Sequence, residues 1–162
     1  MAVVHTTPAK VRPPDSDTHP PRALILTGCH GGAGTSTLAR LLGDAADSGL
    51  GLPQPPWLPL VLVTRGTPHG ANRATWVLER ARAAGIAPHA LVVVSDGPWP
   101  EPRLATLRLR LLGSLVPVIV RLPYVTRWRY VDDPVADTVP RRVVRALDQI
   151  RSATRIPQGG ST

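Results

Sequence analysis

The sequence predicts an α/β fold, a mainly parallel sheet of four strands with helices on both faces. Three observations carry this. Apolar runs of strand length occur four times, stretches of helical period separate them, and the runs are apolar at consecutive positions rather than at alternate ones. A strand apolar on both sides is buried on both sides. Sheets of such strands are built from strand–helix–strand units and run parallel.

The first strand is expected over 23–27, where "ALILT" ends at a glycine. A glycine-rich turn and a helix over 36–47 follow, with Leu38, Leu41, Leu42 and Ala45 at helical spacing. "SGLGLPQPPWLP" breaks every period and reads as a loop. The second strand covers 59–64. The helix after it covers 70–84, with Ala74, Val77, Leu78 and Ala81 on one face and Gly85 as its stop. The third strand, 90–95, ends at Asp96. The next helix turns Leu104, Leu107, Leu111 and Leu112 to one side, and "VPVIVRLPY" gives the fourth strand. A last helix over 140–152 passes through Val143, Val144, Leu147 and Ile150.

Composition bounds the function. The 162 residues suffice for one domain with a core, expected over 22–155. Residues 1–21 are rich in Pro, Thr and charge and are expected to be a disordered tail, with 156–162 as a frayed end. No apolar run is long enough for a membrane span, and no secretory signal opens the chain, so a cytoplasmic protein is expected. The single cysteine, Cys29, excludes an internal disulfide. It reads either as a small buried residue ending a strand or as a thiol activated near a helix start. The net charge of +8 raises nucleic acid as a partner, but the arginines are scattered rather than blocked, and the only lysine is Lys10.

The chemistry concentrates in "GCHGGAGTST". A strand, a glycine-rich turn and a helix start suit a phosphate. Backbone N–H groups curl round the anion, the helix dipole favours its charge, and glycines allow the close approach. The candidate phosphate-binding residues are His30, Gly31, Gly32, Ala33, Gly34, Thr35, Ser36 and Thr37. Ser36 stands where a hydroxyl would ligate Mg²⁺, and Thr35 stands where the signature G-x-x-x-x-G-K-[ST] has its lysine.

"HGGAGTST" is similar to the K-G-G-x-G-K-[ST]-T loop of the ParA/MinD-type P-loop ATPases. Both family lysines are replaced here, by His30 and Thr35. The resemblance implies a truncated P-loop NTPase-like fold in which the loop strand is central and next to strand 90–95, in the order 2-3-1-4 for the four expected strands. It further implies a nucleotide such as ATP, with Mg²⁺ held by Ser36 and Asp96, the latter at the Walker B position in "VVVSDGP". Without the lysines, hydrolysis is expected to be impaired while binding through backbone amides survives. Arg65 and Arg40 are by position the arginines that would supply charge. "VLVTRG" puts Arg65 where the family has an acid, which also affects the expected water-activating site. Tyr124 and Trp128 in "RLPYVTRWR" are candidates to stack on a base, or else packing residues. The whole pattern resembles small actinobacterial proteins encoded on plasmids and integrative conjugative elements, which implies a protein partner in plasmid maintenance or transfer. Three functions stay open: a degenerate P-loop module without turnover, a divergent ATPase or GTPase completed by a partner, and a structural or nucleic-acid-associated protein with an empty loop.

Overall fold

A computed structural model describes residues 22–53 and 58–155, so the expected tails, and Lys10 with them, lie outside the described residues. The chain runs β1 (Leu24–Gly28), α1 (Thr35–Leu42), β2 (Ala45–Asp47), β3 (Leu60–Arg65), α2 (Pro68–Ala83), β4 (Ala90–Val94), α3 (Arg103–Leu112), β5 (Ile119–Leu122), a 3₁₀ turn over Thr126–Tyr130, and α4 (Arg141–Thr154). The strands form one sheet, β2-β1-β3-β4-β5, and every pairing is parallel.

Two expectations are corrected. The sheet has five strands, not four, and the order 2-3-1-4 does not hold. Strand β3 lies between the loop strand β1 and β4, so the strand before Asp96 is not the neighbour of the loop strand. The cause is the short strand β2. The helix expected to reach residue 47 stops at Leu42, where Gly43 turns left-handed at φ 78° and its N–H returns to the Ala39 carbonyl. Ala45 therefore joins a strand rather than the helix face. Ala-Ala-Asp has little strand propensity of its own; β1 imposes the conformation through the pairs Leu24–Ala45, Ile25–Ala46 and Leu26–Asp47. With β2 on one side of β1, the next strand takes the other side.

The layering follows from alternation along the strands. Leu24, Leu26, Val61, Val63, Val92 and Val120 face α1 and α4, where Leu38, Leu42, Val143, Leu147 and Ile150 meet them. Ile25, Leu60, Leu62, Leu91 and Val93 face α2 and α3, represented by Ala74, Leu78, Leu109 and Leu112. Each fully buried Leu or Val side chain contributes about 1.5–3 kcal/mol relative to exposure. The expected face of α2 is confirmed: Ala74, Val77, Leu78 and Ala81 are all buried. On α4, Val144 is exposed and Ala146 takes its place. On α3 the expected face holds only at Leu112. Ala105, Leu109 and Leu112 are buried, the two leucines in the cluster that joins α2 to the sheet, and Leu104, Leu107 and Leu111 are exposed. The helix "RLATLRLRLL" is apolar on two sides, and the side carrying Ala105, Leu109 and Leu112 is the one that packs inward, chiefly on α2.

Candidate functional site

In this strand order the chain leaves β1 toward β2 on one side and returns to β3 on the other. The order reverses between β1 and β3, and open α/β sheets bind ligands in the crevice beyond the carboxyl ends of strands at such a point. The glycine-rich turn lies there, since it follows the carboxyl end of β1.

The turn is shaped by its backbone. Gly32 and Gly34 have φ of 74° and 96°, left-handed values that side chains with a Cβ rarely adopt. Gly34 is the N-cap of α1 and, having no side chain, gives the helix no cap hydrogen bond. The first intrahelical bond goes from the Leu38 N–H to the Gly34 carbonyl, which leaves the N–H groups of Thr35, Ser36 and Thr37 as the open first turn of the helix. Ala33 is buried in the core and anchors the turn from below. The result is a concavity of about 390 Å³ lined by the eight expected residues, His30 to Thr37, with Asp47, Gly49, Leu50 and Arg65.

Three side chains acquire roles that spacing did not reveal. Asp47, at the end of β2, accepts a hydrogen bond of 2.7 Å from the Ser36 hydroxyl on Oδ2 and one of 2.8 Å from the Gly49 N–H on Oδ1. It was hidden because residue 47 was expected inside a helix. Arg65, at the end of β3, donates from Nε to the Gly32 carbonyl at 2.8 Å and from a terminal nitrogen to Asp96 at 3.1 Å. Arg40, the other arginine considered, pairs instead with Asp133 at 2.6 Å. That guanidinium holds the Asp133 carboxyl below the usual carboxylate range, chiefly by the hydrogen bond itself. His30 accepts from the Arg65 main-chain N–H on Nε2 at 3.3 Å, so its Nδ1 carries the proton donated to the Gly31 carbonyl at 2.9 Å. Edge contact with His69, at 5.6 Å between ring centroids, completes its cage. His30 thus ties the turn to β3.

Thr35 is buried under the turn. Its hydroxyl stands so close to Gly28 that a Cβ there would lie 2.8 Å from it. Cys29 is also buried. Desolvation pushes its thiol up to about 12, outweighing the lowering effects of the Arg73 charge and a hydrogen bond with the Val63 backbone. It is therefore the packing residue of the two readings, not an activated thiol.

Ser36 and Asp96 line different concavities. Ser36 is bonded to Asp47, whereas Asp96 is on the rim of a larger cleft of about 1260 Å³ beside the ends of β4 and β5. The Arg65–Asp96 ion pair stands between the two concavities. In the larger cleft Arg121 forms a two-bonded ion pair with Glu101, and Tyr124 carries the Arg129 guanidinium 5.9 Å above its ring. Trp128 packs against the core instead. Among the described residues no group of three His, Cys, Asp or Glu side chains is arranged to hold a metal by itself. No helix among them is long and apolar enough to cross a membrane.

Comparison with curated proteins gives no match. A family model matches residues 22–147, a span that runs from the start of β1 into α4 and takes in the turn, Asp47, Arg65 and Asp96. The chain belongs to DUF6668, a family of unknown function.

Proposed function

We propose that this protein is a degenerate P-loop module that binds the phosphate groups of a nucleotide without appreciable hydrolysis and signals occupancy to a partner, in the setting of plasmid maintenance or conjugative transfer. The observation that supports it most is the uncapped first turn of α1 at the β1–β3 crevice, with the Arg65 guanidinium bonded to the Gly32 carbonyl of the same turn. Open N–H groups and a helix dipole attract an anion. Arg65 then supplies a positive charge where a P-loop protein has lysine, from the neighbouring strand rather than from the turn.

Mg²⁺ fits this donor set in one form. Mg²⁺ is commonly held by one or two carboxylates together with phosphate oxygens and waters. The Ser36 hydroxyl and the Asp47 carboxylate are adjacent and would supply the protein's share, while Asp96 is engaged by Arg65. Bound there, the ion would neutralise phosphate charge. A guanidinium occupied by Gly32 and Asp96 holds a ground-state phosphate well and is not positioned to follow charge onto a leaving group, which agrees with slow or absent turnover.

Calorimetric titration with ATP, ADP, GTP and inorganic phosphate, with and without Mg²⁺, tests the reading. Wild-type protein binds nucleotide and releases no phosphate over hours. Arg65→Ala weakens binding about tenfold, because a hydrogen bond to a charged group is worth roughly 1.5–3 kcal/mol. Thr35→Lys strengthens it by a similar factor. Absence of binding by all three proteins rejects the proposal. Turnover at ordinary P-loop rates, abolished by Ser36→Ala, replaces it with a partner-independent ATPase.

A further inference from the structure

Helix α3 has two apolar sides, and only one is used. Ala105, Leu109 and Leu112 are buried on the inner side, against α2 and the core beneath it. On the outer side Leu104, Leu107 and Leu111 are 49%, 58% and 74% exposed, and Leu115 in the turn beyond is 41% exposed. The separations of three and then four residues are those of a seam along which a second helix packs. Scattered exposed leucines need no explanation, but a contiguous ridge does.

The flanks of the ridge identify its occupant. With Leu104 and Leu107 as the two core positions of a heptad, Arg103 and Arg110 fall on one flank and Arg108 on the other. The helix carries no acidic residue. Arg108 leans toward α2, donating to the Pro68 carbonyl at 3.3 Å, and among the described residues neither Arg103 nor Arg110 forms an ion pair. We propose that α3 is a docking ridge for an amphipathic helix of another protein, one with leucine-like residues along its seam and Glu or Asp on both flanks.

Two other occupants fit less well. A second copy of the chain would set arginine against arginine, whether the two ridges ran parallel or antiparallel, and like charges at flanking positions select against pairing. A membrane-lying helix presents a broad apolar face. Here the rest of the apolar surface is committed to the core, and what remains is one residue wide with arginine on each side.

The test uses a fluorescein-labelled peptide of about three heptads with Leu at the seam and Glu on both flanks, followed by anisotropy against the full chain. Saturable binding that weakens with salt is expected. Leu107→Ser combined with Leu111→Ser lowers affinity at least about tenfold while the melting temperature stays that of wild type, because both side chains are exposed. Arg103→Glu with Arg110→Glu makes the protein prefer the same peptide with Lys flanks, a reversal that a merely sticky surface would not show. No binding up to about 1 mM peptide, or equal binding of Glu- and Lys-flanked peptides, overturns the proposal. So does a dimer in sedimentation velocity that the double serine variant dissolves, which would make the ridge a self-interface. Cosedimentation with phosphatidylserine vesicles that the same variant abolishes would instead assign it to a membrane.

Discussion

Two helices begin at the same edge of the sheet, and they begin in opposite ways. Helix α2 is closed on itself. The Thr67 hydroxyl accepts from the Gly70 N–H at 3.0 Å, Pro68 fills the position where an N–H would be orphaned, and the Thr64 hydroxyl donates to the Gly70 carbonyl at 2.7 Å. Helix α1 enters from a left-handed glycine with no side-chain cap. Both follow apolar strands at the same edge of the sheet, yet one end is complete without a ligand and the other is not. The difference teaches where to look for function. An end that the chain satisfies internally serves the fold. An end left open beside a guanidinium, at the point where the strand order reverses, costs the helix a cap that any ordinary Ser or Asp would supply.

The largest break in the comparison comes from closing the gap beneath α2. A Cβ at Gly70 would lie 2.2 Å from the Arg65 carbonyl oxygen, against backbone that has nowhere to move. Gly70→Ala should therefore destabilise the protein by about 3 kcal/mol or more, at the upper end of overpacking effects. Urea unfolding measures it. Because the displaced carbonyl belongs to Arg65, phosphate affinity should fall in whatever fraction still folds. A loss under about 1 kcal/mol would mean that α2 is not seated as tightly as this geometry says.

Next comes Gly34→Val. At φ 96° a β-branched residue is strained by roughly 1–2 kcal/mol, but space is available, since the nearest atom to its Cβ is a Val94 methyl at 3.7 Å. Stability should drop by that amount while nucleotide and phosphate binding are lost, because the turn can no longer aim its N–H groups. At Gly70 the two losses come together; at Gly34 binding should suffer far more than folding. Equal losses at both positions would remove the distinction between the two helix starts.

The same contrast separates what was legible in the sequence from what was not. Apolar runs announced β1, β3, β4 and β5: the first three are buried at nearly every position, with Thr27 and Thr64 their only buried polar residues, and in β5 Arg121 alone is exposed. The turn from His30 to Thr37 was legible because glycine spacing states a backbone requirement that no other residue meets. Strand β2 was not legible, since Ala45–Asp47 is a strand only through its pairing with β1, and the sheet order went with it. Asp47 and the bonds of Arg65 depend on that order, so no local pattern could place them. The face of α3 was misjudged for a different reason. Two apolar sides give the same period, and only packing chooses between them.

A smaller effect sharpens the comparison from the capping side. Thr67→Ala removes a cap and should cost about 1 kcal/mol, with phosphate affinity unchanged. Ser36→Ala removes an exposed hydroxyl whose partner is Asp47 and should change stability by less than about 0.5 kcal/mol. It should, however, weaken the Mg²⁺-dependent part of nucleotide binding. Paired melting curves and titrations of the two variants read this directly. A stability loss at Ser36 as large as that at Thr67 would make the first turn of α1 structural after all.

The last effect, nil at neutral pH, uses Cys29 to ask how firmly the open helix start is held. The thiolate is the reactive form, and burial pushes this thiol up to about 12 in the folded protein from an ordinary value of 9.0. At about pH 8 iodoacetamide should therefore leave the native protein unmodified and alkylate it readily in urea. The sign of the pH effect follows. Because the folded value is the higher one, the unfolded chain loses its proton first as pH rises, so the contribution to stability is whole below 9.0 and is lost progressively toward about 12. Cys29→Ala should lack that decline, and comparing its unfolding curves with those of wild type across the alkaline range measures it. Slow labelling of the native protein, where it occurs, reports opening of the segment that joins β1 to the turn. If phosphate slows that labelling in wild type but not in Gly34→Val, the open end of α1 is the part of the site that the anion holds shut. Labelling that phosphate leaves unchanged in both would place any bound anion elsewhere.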